Sequence, residues 1–470
     1  MLAAVRLLTA ICALLAATAV AAPARAAYDP AYEQRNYSKI DERSRLEFSD
    51  PAFQQELRTR GIERQAEAER IRTTDPERDF SGNLCSRPQD GCAGDFRLYD
   101  WAAKGHGIRT SVLWTARNGS TISGHLWMTA AGPARRPAIV ITNGSVQAPE
   151  TAYWGEAATL AKKGYVVLTW DPQGQGLSDT YGEGADRNDG FPSQEGRPFY
   201  DGTEDALDFL FSSPERPYVP RPSCTTGTSH AAKQARRVQE GYDAAFNPLW
   251  RLVDLDRVGI AGHSLGAAAV SYVGQADPRV KAIVAYDNLR EPTAPGRACG
   301  GKDRPAVPIA KPALGIANDY GLFRQPIASE PDPLEKSAAS RAYGAAGVDS
   351  GELVIRGGTH YESSYIPNHY FSGTLRGLDL IAWYTGAFFD RYVKGDPGAE
   401  RRLLTGRWRA DDAGAKIDPA GDGNLFSGYF RSRLDVGRAG GTRAVCEDVR
   451  AGCPALVADD GAPAGYGYLA

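Results

Sequence analysis

One pentapeptide in the chain could supply a nucleophile. Residues 262–266 read Gly-His-Ser-Leu-Gly, which matches the G-x-S-x-G pattern of a sharp strand-to-helix turn that exposes a serine hydroxyl. A five-residue match is weak evidence in a chain with 52 glycines, so the flanking residues decide whether the motif indicates such a turn. A short apolar run precedes Ser264 and an alanine-rich run, 267–273, follows it. These runs predict the strand and the helix that the turn requires, and Ser264 is the predicted nucleophile.

A serine hydroxyl needs a general base, and histidine is the usual one. Behind such a turn the chain order is serine, acid, histidine, and His360 and His369 both follow Ser264. His360 comes just past a predicted strand, where a loop could place its imidazole over the serine, whereas His369 is expected at the surface or in a lid. We therefore predict that His360 is the base. His263 is expected to pack beneath the turn, and His230 at most to contact substrate.

Two aspartates could orient the imidazole of His360 and stabilise its charged form. Asp319 follows a predicted strand at 311–317, and Asp287 follows the preceding one at 280–286. We favour Asp319 and keep Asp287 as the alternative acid. The aspartate that is not the acid is expected to cap a helix or to hydrogen-bond within a loop.

A reaction at a carbonyl also needs two donors for the developing oxyanion. The Leu265 N–H is one candidate, since it opens the helix after Ser264. The other should come from residues 143–146, Asn-Gly-Ser-Val, where Gly144 permits close approach. Ser145 is the preferred donor and Val146 the alternative.

Other patterns bear on ligands. Tyr153 and Trp154, near the oxyanion loop, are candidate substrate contacts that could line an apolar pocket, although ordinary core packing explains them equally well. Residues 171–178 contain G-x-G without the G-x-G-x-x-G continuation, which argues against a dinucleotide site. We predict no metal site and no organic cofactor.

The first 26 residues have the pattern of a secretory signal peptide. Arg6 precedes an apolar run over 7–20, and residues 24–26 read Ala-Arg-Ala, a small-residue cleavage signal. The mature chain is expected to begin at Ala27. Because the apolar run is shorter than the roughly 20 residues that span a bilayer, we expect secretion rather than a stable membrane anchor.

Six of the seven cysteines follow Cys12, an even number that indicates disulfides in an exported chain. Six cysteines permit 15 connectivities. Their spacing favours one of these sets: Cys85–Cys92, Cys446–Cys453 and Cys224–Cys299.

The charge balance excludes one class of partner. Without Arg6 and Arg25 the chain carries 52 basic and 57 acidic residues, a formal charge of −5. A protein that binds nucleic acid carries a basic footprint, so no nucleic-acid partner is expected.

Short apolar runs alternating with helical stretches predict an α/β fold with a mostly parallel sheet covered on both faces. Asn118-Gly119 between two β-like runs predicts a hairpin. Further strands are expected at 137–142, 165–170, 257–261, 280–286, 311–317 and 352–355. Helices are expected at 53–71, 151–163, 202–211 and 375–394.

The sequence pattern also divides the chain into regions. We expect the signal peptide at 1–26, an N-terminal arm at 27–104, the main α/β domain at 105–398 and a C-terminal extension at 399–470, with a strand or hairpin at 426–436. Irregular insertions at 179–198 and 214–248 interrupt the main domain. Long insertions of this kind are often lids or binding loops, and surface decoration is the alternative.

These motifs together resemble the α/β-hydrolase fold serine hydrolases over about residues 105–395. Residues 171–176 are similar to that family's D-x-R-G-x-G-x-S loop, and 387–396 resemble the closing helix of secreted esterases, including polyester-hydrolase and dienelactone-hydrolase relatives. Asn318-Asp319 and residues 358–360 also fit. The chain departs from the family where Asn143-Gly144 replaces the frequent His-Gly and Gln173 the frequent arginine.

The resemblance implies a secreted hydrolase of carboxylic esters with a lid-like insertion and extensions at both ends. Ser264, His360 and an aspartate would form the triad. The substrate would be a small-molecule, lipid or polymer ester. Two alternatives stay open: a peptidase or amidase on the same fold, and a non-catalytic binding protein that retains it.

Overall fold

The computed structural model describes residues 48–86, 90–100, 106–145, 148–188, 197–292, 305–318, 333–355, 358–367, 375–407, 432–449 and 452–465, with isolated positions before residue 48. The predicted signal peptide lies outside these ranges. No helix within them is long and apolar enough to cross a bilayer.

The described residues form one ten-stranded sheet in the order β1-β2-β4-β3-β5-β6-β7-β8-β9-β10. The six strands from β4 to β8 in that order run parallel, and antiparallel pairs close both ends. This arrangement confirms the predicted α/β class with a mostly parallel sheet. The strands are β1 (Gly107–Thr115), β2 (Thr121–Thr129), β3 (Arg136–Thr142), β4 (Val166–Trp170), β5 (Val253–His263), β6 (Val280–Tyr286), β7 (Ala313–Asn318), β8 (Ser350–Ile355), β9 (Arg433–Gly437) and β10 (Arg443–Cys446).

Helices cover both faces of the sheet. The predicted hairpin is confirmed, since β1 and β2 pair directly across residues 116–120. The α-helices are α1 (Pro51–Thr74), α2 (Phe96–Tyr99), α3 (Trp154–Lys162), α4 (Arg197–Leu210), α5 (Ala231–Gln239), α6 (Leu265–Ala276), α7 (Pro333–Ala345), α8 (Leu375–Phe389) and α9 (Ala399–Leu403). A π-helical turn extends α8 to Lys394, and Gly395 ends it in the left-handed conformation.

Strand β3 explains why the core has two halves. Ile139 and Ile141 point into the half formed with α3 and α8, while Ala138 and Val140 point into the half formed with α4 and α6. All four side chains are fully buried. A central strand buried on both faces must be apolar at every position, which is what the sequence of this strand provides.

The described part of the 214–248 insertion is fixed by buried ion pairs. Arg237, in α5, is fully buried, with its guanidinium 2.9 Å from the Asp243 carboxylate and 2.7 Å from that of Asp75. Asp75 directly follows α1. The Arg237 guanidinium therefore connects the insertion with the N-terminal arm, alongside the Arg236–Glu77 ion pair.

The same insertion lies at the β1 edge of the sheet. The Gln234 side chain accepts a hydrogen bond from the Thr115 N–H at 2.7 Å, and the Tyr218 hydroxyl donates to the Thr115 carbonyl at 3.0 Å. Strand β5, which leads to Ser264, is four positions away in the sheet order. The ion pairs with the arm and these hydrogen bonds hold the segment against the edge strand.

The other insertion begins as a tightly bonded turn. The Asp179 carboxylate receives the Arg78 guanidinium at 2.8 Å and the Thr121 N–H at 2.8 Å. Residues 189–196 lie outside the described ranges.

The C-terminal extension completes the sheet. Strand β9 pairs antiparallel with β8, and β10 pairs with β9. The strand expected at 426–436 begins at Arg433, and residues 408–431 lie outside the described ranges. Residues 433–446 therefore belong to the same sheet as the main domain, although the sequence boundary at residue 398 separated them from it.

Disulfides fasten both extensions. Cys85 pairs with Cys92 and Cys446 with Cys453, as predicted. Cys224 is also disulfide-bonded, and its expected partner, Cys299, lies outside the described residues.

Candidate active site

Ser264 occupies the sharp turn between β5 and α6. Its φ of 56° is a conformation that a non-glycine residue rarely adopts, and its N–H donates to the Tyr286 carbonyl at 3.0 Å. A Cβ on Gly262 would lie 2.5 Å from the Gly266 carbonyl oxygen, and a Cβ on Gly266 would collide with the Asn143 carbonyl. The two glycines thus let the turn close while its backbone holds the serine outward.

His360 places its ring against Ser264. The loop after β8 brings the His360 Nε2 to 2.9 Å from the Ser264 Oγ. On the other side of the ring, Nδ1 lies 2.6 Å from the Asp287 Oδ2. A carboxylate can only accept, so Nδ1 carries the proton and Nε2 is left to accept the serine proton. The three side chains form a continuous hydrogen-bonded relay in which the His360 Nε2 faces the Ser264 hydroxyl.

Asp287, the alternative acid of the sequence analysis, holds the Nδ1 position. It follows β6, the strand next to β5, and its N–H donates to the Ile316 carbonyl at 2.9 Å. Asp319, which the sequence favoured, lies outside the described residues; among the described residues, Asp287 is the carboxylate that meets the His360 ring. The parallel sheet accounts for the arrangement, because β5, β6 and β8 all end at the same edge.

Both candidate oxyanion donors are close to Ser264, one in the sequence and the other in the order of the strands. Leu265 begins the 12-residue helix α6, whose N-terminal N–H groups and dipole favour negative charge. Ser145 follows β3, the other neighbour of β5, and it is partly exposed. Among the described residues, neither the Leu265 nor the Ser145 N–H donates a hydrogen bond. Val146, the alternative donor, lies outside the described ranges.

His263 is buried directly beneath this site, as expected. Its Nε2 lies 2.6 Å from the His360 carbonyl oxygen, and its Nδ1 lies 2.8 Å from the Tyr153 hydroxyl. Burial, aided by the neighbouring His360 ring, lowers the pKa of His263 to about 3. The ring is therefore neutral at physiological pH and its two nitrogens have fixed roles.

Tyr153 and Trp154 are core residues, which corrects their assignment as substrate contacts. Tyr153 is almost fully buried and its hydroxyl accepts the Gly144 N–H at 2.8 Å. Trp154 packs edge-on against Tyr99, with ring centroids 5.0 Å apart, and beneath the Arg109 guanidinium. The alternative explanation of core packing accounts for both.

The remaining sequence candidates lie elsewhere. His230 is buried and bonds to the Asp186 carboxylate at 3.0 Å, so it holds the two insertions together rather than facing Ser264. His369 lies outside the described residues. Within the ranges that the structure describes, no group of three or more His, Cys, Asp or Glu side chains is placed to hold a metal ion.

Sequence reasoning did not predict the contacts of Gln175 and Tyr153 that hold the loop after β3. The Gln175 side-chain amide donates to the Gly144 carbonyl at 2.9 Å, and the Tyr153 hydroxyl accepts from the Gly144 N–H. The G-x-G stretch at 171–176 contained Gln175, but its spacing carried no sign of this contact. Tyr153 had no local signal, since its partner His263 is 110 residues away.

No protein-family model matches the chain, and no curated protein matches it in sequence.

Proposed function

We propose that this protein is a serine hydrolase of the α/β-hydrolase fold that cleaves carboxylic esters. The observation that supports it most is the continuous relay of Ser264, His360 and Asp287, with bonds of 2.9 and 2.6 Å. A serine at a strained strand-to-helix turn, bonded to a histidine that is bonded to a carboxylate, is the arrangement that activates a hydroxyl for acyl transfer.

The proposed reaction has two halves. His360 takes the Ser264 proton as the Oγ attacks the ester carbonyl, and it then protonates the departing alcohol. Water, deprotonated by the same imidazole, next attacks the acyl-enzyme and releases the acid. The Asp287 carboxylate keeps the proton on Nδ1 and stabilises the imidazolium in both halves.

The oxyanion would be held by the Leu265 and Ser145 N–H groups. Both follow strands adjacent at the same sheet edge, and both lack a described acceptor. Loss of one such donor costs about 3 kcal/mol of transition-state stabilisation in a serine hydrolase. The reaction needs no metal ion or organic cofactor.

We also propose that the protein is secreted. The disulfides Cys85–Cys92 and Cys446–Cys453 support an oxidising compartment. Mass spectrometry of the exported chain should place its N-terminus at Ala27, and a retained residue 1–26 segment would contradict the assignment.

Covalent labelling tests the nucleophile. A fluorophosphonate should add one adduct at Ser264 of the wild-type protein and none to Ser264→Ala. Ser271→Ala is the matched control, because Ser271 lies on the same helix with its hydroxyl committed to the Ala267 carbonyl. Absence of labelling in the wild type would overturn the proposal and leave the non-catalytic binding protein.

A substrate panel then identifies the bond that is cleaved. Nitrophenyl esters of rising acyl length should be hydrolysed, and Ser264→Ala should lower the rate by roughly 10⁴- to 10⁶-fold. Aminoacyl anilides should be poor substrates. Faster turnover of the anilides would replace the esterase with the peptidase or amidase alternative.

A further inference from the structure

Gly144 is held on both of its polar atoms. Its N–H donates to the Tyr153 hydroxyl at 2.8 Å, and its carbonyl accepts from the Gln175 side-chain amide at 2.9 Å. Tyr153 and Gln175 are themselves almost completely buried. Two buried side chains thus fix a glycine that would otherwise be the most adaptable residue of the loop after β3.

The Gln175 contact also sets the direction of the next N–H. The Gly144 carbonyl and the Ser145 N–H belong to one planar trans peptide unit, so they point in opposite directions. Holding the carbonyl therefore aims the Ser145 N–H. The Gly144 N–H is occupied by Tyr153, so among the described residues of this loop the Ser145 N–H is the donor that can face an oxyanion.

A chain of hydrogen bonds connects the same glycine to the proposed base. The His360 carbonyl can only accept, so the His263 Nε2 carries a proton and donates it across 2.6 Å. The His263 Nδ1 then accepts from the Tyr153 hydroxyl at 2.8 Å, and that hydroxyl oxygen accepts the Gly144 N–H. Every donor in this series of hydrogen bonds has one acceptor. The neutral His263 ring thus connects the loop that carries His360 with the loop that carries Gly144.

Each of these contacts has a purely structural explanation, since buried polar groups are usually hydrogen-bonded. Their ends argue for more than packing. The hydrogen bonds run between the residue that carries the base and the residue that precedes the oxyanion donor. The contacts thus meet at Gly144, whose carbonyl belongs to the same peptide unit as the Ser145 N–H.

We infer that Gln175, Tyr153 and His263 are positioning residues, which aim the Ser145 N–H at the oxyanion and keep it in register with His360. This role presupposes the proposed hydrolase. The three side chains act through Gly144 and the His360 backbone and do not touch the reacting atoms. Weakening them should lower kcat and leave KM nearly unchanged, because the oxyanion exists only in the transition state.

Gln175→Leu and Gln175→Glu test the carbonyl contact. With a nitrophenyl butyrate substrate, Gln175→Leu should lower kcat about 10- to 100-fold. This decrease is no larger than the decrease in kcat that removal of an oxyanion donor causes. Gln175→Glu keeps the size, and only its protonated carboxyl can donate to the Gly144 carbonyl. Its kcat, divided by the wild-type value at each pH, should therefore fall as pH rises. That ratio cancels the titration of the groups whose pKa the substitution leaves unchanged.

Gln234→Glu is the matched control for Gln175→Glu. Gln234 is a buried amide that bonds to backbone at the β1 edge, away from Ser264. The kcat of Gln234→Glu divided by the wild-type kcat should not change with pH. A flat ratio for Gln175→Glu, or a Gln175→Leu variant with wild-type kcat, would overturn the role of Gln175.

Tyr153→Phe tests the other side of the glycine. It removes the hydroxyl between Gly144 and His263 and should lower kcat about 10-fold, while Tyr165→Phe, which loses a hydroxyl bonded to Asp390, should not. A trifluoromethyl ketone, which forms an oxyanion adduct on serine, should bind Tyr153→Phe and Gln175→Leu more weakly by the same factors. Unchanged ketone affinity in folded variants would show that the contacts only support packing.

Failure of this role is separable from failure of the hydrolase. A wild-type protein that neither hydrolyses the ester nor reacts with a fluorophosphonate contradicts the proposed function. An active wild type whose Gln175 and Tyr153 variants keep full kcat and ketone affinity contradicts only the positioning role.

Discussion

The His360 Nδ1 lies 2.6 Å from the Asp287 Oδ2, although 73 residues separate them in the chain. Both side chains are mostly buried, with 21% of His360 and 10% of Asp287 exposed. Their meeting depends on β6 and β8 ending at the same edge of the sheet, on either side of β7. The contact fixes which ring nitrogen faces Ser264.

Asp287→Asn should therefore lower kcat by about 10²- to 10⁴-fold. An amide in place of the carboxylate favours the wrong imidazole tautomer and leaves the imidazolium unpaired. Steady-state kinetics on a nitrophenyl ester measures the effect. Asp319→Asn is the control and should stay within a few-fold of the wild type; a larger loss in Asp319→Asn than in Asp287→Asn would restore Asp319 as the acid.

The assignment of the acid illustrates how far sequence could reach. Ser264 and His360 were predictable because the signal for each is local, a glycine-flanked serine and a histidine just past a strand. Asp287 and Asp319 carry the same local signal, since each follows an apolar strand. Only the three-dimensional arrangement shows which carboxylate meets the His360 ring.

Long-range polar contacts account for the other differences. The 214–248 insertion has a lid-like composition, yet its position depends on Arg237 meeting Asp75, a residue 162 positions away. The Tyr153–His263 contact likewise joins two distant segments. Apolar periodicity predicted the strands well because burial of the sheet depends on residue type alone, whereas specific hydrogen bonds depend on tertiary placement.

Removal of Arg237 should destabilise the contact between the N-terminal arm and the 214–248 insertion, a contact that is called the clamp below. Arg237→Ala leaves the carboxylates of Asp75 and Asp243 buried without their guanidinium, which costs about 3–5 kcal/mol. Urea denaturation measures the loss. Its neighbour Arg236 has a side chain that is 43% exposed, so Arg236→Ala should cost at most about 1 kcal/mol. Equal losses for the two variants would argue against the clamp.

The Cys446–Cys453 disulfide should stabilise the strand pair at the end of the sheet. The bond closes a loop over a sequence separation of seven, and loop entropy predicts about 2.5 kcal/mol for so short a loop. The double Cys446→Ser, Cys453→Ser variant should lose that much stability in thermal unfolding without loss of ester hydrolysis. An unchanged melting temperature would mean that β9 and β10 hold without the bond.

Glu156 should make stability depend on pH. Burial raises the pKa of this carboxyl to about 7, against the hydrogen bonds from the Tyr365 and Tyr286 hydroxyls. The unfolded chain, with an ordinary pKa near 4.5, releases the proton earlier as pH rises. Glu156 therefore contributes most to the free energy of unfolding below pH 4.5. This contribution declines by roughly 3 kcal/mol as the pH rises to about 7, at 1.36 kcal/mol per pKa unit.

Glu156→Gln removes the titration while keeping the size and a hydrogen-bonding group. The wild type should lose more stability than Glu156→Gln between pH 4.5 and 7, measured by urea denaturation at each pH. Glu215→Gln is the control, because Glu215 is exposed and should leave the wild-type slope unchanged. Parallel stability curves for the wild type and Glu156→Gln would show that Glu156 does not hold its proton in the folded state.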